Sequence, residues 1–160
     1  MGARPKMKIR TMALIVATGL SLPGLASAQT PATFTRLADA VKYRQAAFQV
    51  LSTHVQRVGA MAKGEVPFDK ASAEVNATLI ELLSRQVATA FPAGSDMAPS
   101  KAKPEVWTAP ADFKTHGEQL QSAAGKLSGA ARVGDAAAFK AAFGAMTQTC
   151  KACHDGYRNR

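Results

Sequence analysis

The sequence predicts an all-α protein, a left-handed antiparallel up-down-up-down four-helix bundle. Three observations carry that prediction. Four stretches are rich in Ala, Leu, Gln, Lys and Arg, residues that favour helix. Their apolar residues recur at steps of three and four, the period of one helix face. Alternating β-branched runs and hairpin signals are absent from the sequence.

The chain opens with a basic segment holding Arg4, Lys6, Lys8 and Arg10, then an apolar run from Met12 to Leu22. Ala26-Ser27-Ala28 follows as an A-x-A cleavage site. These three parts together read as a secretory signal peptide over residues 1–28, with the mature domain over 29–160. The apolar run falls short of the ~20 residues that a membrane anchor needs. Of 20 Lys and Arg, the leader takes four, so 16 remain against 11 Asp and Glu, a net charge of +5. The remaining cations are spread along the chain, which points to a solvated surface and to no nucleic-acid partner. The mature chain is expected in the periplasm, not in a membrane.

The first helix is expected from about Phe34 to Met61. Leu37, Val41, Arg44, Phe48, Leu51, Val55 and Val58 form one stripe, with Arg44 its only polar member. Gly64 and Pro67 in KGEVP break it. Asp69 then caps a second helix, from about Lys70 to Phe91, whose stripe is read as Ala71, Val75, Leu79, Leu82, Leu83 and Val87. Residues 91–110 hold four prolines and Gly94, so an irregular connection is expected, with Trp107 packing its far end down. The third helix runs from about Asp112 to Arg132, with Phe113, Leu120, Ala124 and Leu127 inward. Val133-Gly134 ends it and Asp135 caps the fourth, from about Ala136 to Tyr157. Short connections make helices one and two, and helices three and four, antiparallel neighbours.

The last helix carries Phe139, Phe143, Met146, Cys150, Cys153 and Tyr157 on its stripe. Both cysteines of the chain therefore lie on one apolar face, in the segment CKACH. Two thiols at i and i+3 can reach the two vinyl groups of a haem, and His154 can supply the proximal iron ligand. This is the c-type haem attachment signal, and it predicts one haem c per chain. Other uses have less support. A disulfide between Cys150 and Cys153 would close a tiny loop. Zinc would need distant help from His54 or His116. A redox dithiol expects a βαβ setting. Two plain core thiols would leave the adjacent histidine without a role. The sixth coordination position separates an electron carrier from a ligand binder. His54, His116, Met61, Met97 and Met146 are its candidates, and spacing does not choose among them.

YRQAAFQVL, GAMAKGEVPFD, AKPEVW and FKAAFGAMTQTCKACHDGYR, in that order over nearly the whole mature chain, resemble the cytochrome c prime family, the class II c-type cytochromes. The resemblance implies that Cys150 and Cys153 are the covalent haem anchors and that His154 is the solvent-accessible axial ligand. It implies that Arg44 and Gln45 contact the haem propionates and that Arg158 is the basic residue beside the proximal histidine. Phe48 matches the residue over the distal face of the iron, where low-spin relatives similar to cytochrome c-556 place methionine. Phenylalanine has no lone pair to donate. The expectation is therefore a five-coordinate, high-spin haem under an apolar lid. Such a site takes small diatomic gases, nitric oxide above all and carbon monoxide with hindrance, and allows one-electron redox chemistry. The alternative is a low-spin electron-transfer cytochrome serving exported redox partners. No enzymatic activity is expected, since no acid–base pair is identifiable beside the distal position. The resemblance also implies a homodimer.

Overall fold

The computed structural model describes residues 1–2 and 34–159. The expected leader, beyond its first two residues, and its cleavage site lie outside the described residues. Five helices follow in order: α1 (Leu37–Lys63), α2 (Lys70–Ser84), α3 (Glu105–Thr108), α4 (Pro110–Val133) and α5 (Ala136–Tyr157). The four long helices pack in the ring α1, α2, α4, α5 and back to α1, as an antiparallel four-helix bundle. Among the described residues, no helix is long and apolar enough to cross a membrane.

Helix ends follow local chemistry. Asp69 caps α2 by accepting from the Ser72 N–H at 2.7 Å. Asp135 caps α5 by accepting from the N–H groups of Ala137 and Ala138 at 2.8 and 3.0 Å. Gly64 and Gly134 close α1 and α4 at φ 78° and 84°, a left-handed conformation that a side chain would strain. Pro110 opens α4 at a position where its missing N–H costs nothing.

Two expectations for α2 need correction. It stops at Ser84, well short of Phe91, and turns carry the chain on to Ala90. The Ser84 hydroxyl donates to the Glu81 carbonyl at 2.7 Å, and Arg85, Gln86 and Val87 bond three residues back instead of four. Serine hydroxyls compete for helix carbonyls in this way, and the last turn tightens. The buried face is also a different one. Ala73, Asn76, Ala77, Ile80 and Ser84 point inward, while Val75 and Leu82 stay 60% and 50% exposed and Ala71 faces solvent. Ala73 and Ala77 let α2 lie close against its neighbours, while of the expected stripe Leu79 and Leu83 are half-buried and Val87 is buried beyond the helix end.

The core has two parts. The upper part joins Val58, Ala73, Ala77, Ile80, Ala124, Leu127, Phe139 and Met146, with Gly59 against Phe143. A Cβ at Gly59 would meet the Phe143 ring at 3.0 Å, so α1 and α5 approach closely there because that residue has none. The lower part holds Val87, Val106, Phe113 and Tyr157, with Phe48, Phe91, Trp107 and Cys153 packed on it. Trp107 lies in α3, a single turn that sequence periodicity did not reveal. Its indole N–H donates to the Pro92 carbonyl at 3.1 Å, so the far end of the long connection is pinned as expected.

Candidate haem site

α5 forms without interruption over the CKACH segment because it follows the Asp135 cap with helix-favouring Ala, Phe, Met and Lys. One turn separates Cys150 from Cys153, so both thiols share a face. Both are free and partly buried. Burial pushes the Cys150 thiol up, and burial together with Cys150 pushes Cys153 up. Burial thus favours the thiol over the thiolate at both positions. Among the described residues, no group of three His, Cys, Asp or Glu is arranged to hold a metal ion. Cys153 packs into the lower aromatic cluster, the same cluster that Phe48 joins from α1.

His154 sits at the surface in the last turn of α5. Burial of its ring, then the Arg158 charge, lower its basicity, while Asp155 acts the other way. The ring opens into a cleft of about 720 Å³ lined by Lys103, Lys151, His154, Asp155, Arg158 and Asn159. Arg158 leaves the helix in extended conformation and forms an antiparallel bridge with Ala102. Its side chain and that of His154 thus line one cleft.

Arg44 is 3% exposed. Nη1 donates to Ser95 Oγ at 2.9 Å, and Nη2 to the Ser95 carbonyl at 2.6 Å and to Ser100 Oγ at 2.8 Å. The guanidinium lies over the Phe91 and Trp107 rings, at 4.8 and 5.8 Å from their centroids. Burial lowers its basicity, and Asp96 partly opposes that. No carboxylate among the described residues forms an ion pair with it. Gln45, one residue on and exposed, donates to the Pro99 carbonyl at 3.1 Å.

Phe48 is partly buried, its ring 6.1 Å from that of Phe91. Beside it a cavity of about 10 Å³, bounded by Ala47, Leu51, Leu83 and Val87 among others, is too small for the ring to swing into. The candidates for a second axial ligand occupy different parts of the bundle. His54 Nδ1 pairs with Asn76 Oδ1 at 2.8 Å between α1 and α2. Met61 and Met146 are packed in the upper core. Met97 is exposed in the long connection. His116 stacks edge-on against Tyr157, 5.5 Å between centroids, with Nε2 3.9 Å from Asp112 Oδ2.

These residues fit a haem. Two neutral thiols share one face, an imidazole follows, an aromatic cluster adjoins them, and a buried cation lacks a carboxylate partner. A buried guanidinium held only by neutral oxygens is electrostatically incomplete, and a carboxylate completes it. The sequence did not indicate Ser95 or Ser100. Serine in a proline-rich connection carries no periodic signal, and only the polar interruption at Arg44 hinted that something distant must meet it.

Tyr157 Oη donates to Asp112 Oδ2 at 2.5 Å and ties α5 to α4 beside the motif. That bond pushes the phenol up to about 12 from an ordinary 10.0. A raised folded value means that the contribution is complete below pH 10 and is lost as pH rises through about 12. Tyr157→Phe should lower the melting temperature at neutral pH and remove that part of the alkaline unfolding limb. A variant that melts and titrates like the parent would count against the bond.

A family model described as Cytochrome C' matches residues 39–158. Cytochrome c' of Rubrivivax gelatinosus is 41% identical over 128 residues, covering 79% of this chain and 99% of that protein. Its crystal structure superposes with a TM-score of 0.77, covering 79% of this chain and all of that one. Structures of cytochrome c prime variants from Alcaligenes xylosoxidans, one a nitric oxide complex and one carbon monoxide-bound, superpose at TM-score 0.75 and 38% identity, each over 80% of this chain and 100% of theirs. With likeness over almost all of the described bundle and CKACH in its last helix, the chain belongs to the cytochrome c' family of haem c proteins.

Proposed function

We propose that the mature chain is a periplasmic cytochrome whose haem iron is five-coordinate, high-spin and open to small diatomic gases, nitric oxide foremost. The observation that carries this reading is Phe48, an apolar ring in the aromatic cluster that Cys153 also joins, with no methionine or histidine among the described residues that bound the space beside it. The haem, when bound, supplies the iron that takes the gas and exchanges one electron. Cys150 and Cys153 would anchor it through thioether bonds, His154 would ligate the iron, and Arg44 and Gln45 would meet its propionates. Phe48 excludes water and offers bound gas no hydrogen bond, which favours nitric oxide over oxygen. Arg158 adds positive charge on the proximal side. Nitric oxide and carbon monoxide complexes of related proteins support this reading. The reduced-state absorption spectrum, with and without nitric oxide, tests it. High-spin bands that shift on adding the gas are expected; a sharp low-spin spectrum with a methionine-to-iron band would establish the electron-transfer alternative.

Export follows from the leader, and thioether anchoring suits a compartment where a dissociated cofactor would be lost. A mature protein that does not begin at Gln29 would refute the cleavage site. We also propose a homodimer through α1 and α2. Tyr43 and Val50 on α1, with Val75 and Leu82 on α2, form an exposed apolar face. Tyr43 reaches Gln86 at 3.0 Å, which places the two rows side by side. Val75→Glu with Leu82→Glu should give monomers by analytical ultracentrifugation while keeping the helical signal. A dimer that survives the double change uses another face.

A further inference from the structure

The long connection between α2 and α4 does more than span a gap. Its middle is bonded to α1, and its end is bonded to the chain just beyond His154. Ser100 Oγ accepts from Arg44 Nη2 at 2.8 Å and from the Ala102 N–H at 3.1 Å. Ala102 is the residue that bridges Arg158. On either side of that bridge, the Lys103 N–H donates to the Tyr157 carbonyl at 3.0 Å and the Asn159 N–H to the Lys101 carbonyl at 2.8 Å. Lys103 Nζ adds a bond to the Asp155 carbonyl at 2.9 Å. The Arg158 N–H itself donates to the His154 carbonyl at 3.2 Å. A single hydroxyl thus joins the buried cation of α1, one turn before Phe48, to the backbone that carries the proximal arginine.

We infer that Ser100 is a positioning residue: through the Ala102 bridge it sets where the Arg158 charge stands relative to His154, and it links that placement to Arg44 on the other side of the site. The inference rests on the reading of His154 as the axial ligand. The physical basis is straightforward. Residues 158 and 159 lie beyond the helix, and a chain end frays unless something ties it down. A fixed cation beside the axial ligand disfavours the more positive, oxidised iron and so raises the reduction potential; a cation free to move into solvent is screened and does less. Removing the Ser100 hydroxyl leaves the Ala102 N–H and one Arg44 N–H without their acceptor. The strap then loosens, and Arg158 loosens with it.

Two measurements on the holoprotein test this, and neither requires an open coordination position. In hydrogen exchange, the amides of Ala102, Lys103 and Asn159 should open together in the parent protein. In Ser100→Ala they should lose at least about tenfold in protection, which is the loss of roughly one hydrogen bond's worth of stability. Ser100→Thr, which keeps the hydroxyl, should restore it. In voltammetry, Ser100→Ala should lower the reduction potential, by less than Arg158→Ala does, and should add nothing in an Arg158→Ala background. Independent opening of the three amides in the parent overturns the strap without any variant. An unchanged potential in Ser100→Ala, or an equal fall with and without Arg158, overturns the positioning role. A low-spin parent spectrum would instead refute the open-site reading, and these two readouts would still decide the strap.

Discussion

Phe48→Met holoprotein is expected to show a low-spin spectrum with a methionine-to-iron band, against the high-spin spectrum expected of the parent. The thioether sulfur supplies the lone pair that the phenyl ring lacks, and it starts from the same position in the lower cluster. Phe48→Ala is the complementary change. If the ring covers the iron, carbon monoxide has to displace it to bind, and the space adjoining the ring is only about 10 Å³. Forcing an aromatic side chain off its rotamer costs about 0.5–1.5 kcal/mol. Removing that cost should speed carbon monoxide binding by about tenfold and tighten it. Flash photolysis measures both. Carbon monoxide kinetics unchanged in Phe48→Ala would mean that the ring does not cover the ligand's approach.

Arg44→Met should affect the holoprotein far more than the apoprotein. Without haem, Arg44 is a buried cation held by the Ser95 and Ser100 oxygens and two aromatic faces. Losing those bonds costs roughly 1–2 kcal/mol, because relief of the desolvated charge offsets part of the loss. With haem, the same change leaves a propionate without its cation in a site closed to water, and roughly 3–5 kcal/mol is expected to be lost. Chemical denaturation of both forms gives the comparison. Equal losses in the two forms would remove Arg44 from the propionate site.

Most of the bundle was legible in the sequence, and the reasons differ by element. α5 was read to its ends because a capping aspartate and an unbroken stripe agree. α1 was legible as a stripe, and its polar member proved to be the buried Arg44. α2 was misread on two counts. Periodicity favours large apolar residues, while the buried face uses Ala73 and Ala77, whose value lies in how closely helices can approach. Its early end rests on a serine hydroxyl bond, which no periodic pattern reports. For the site, CKACH announced the anchors and the axial histidine directly. Arg44 showed itself only as an anomaly, and its partners Ser95 and Ser100 did not show themselves at all. Such contacts span some fifty residues of chain and depend on how a proline-rich connection folds back.

The separation of the apolar interior into two parts bears on how this chain can change over time. The upper part, centred on Phe139, Ile80, Leu127 and Met146, contains none of the proposed haem contacts. The lower part contains Phe48 and Cys153. Leu120 packs on both parts, so effects of exchanges in the two largely add only where that shared contact is left alone. Phenylalanine or methionine at position 48 can then be sampled at little risk to assembly. The lower end is therefore the place to engineer new ligand selectivity in this bundle.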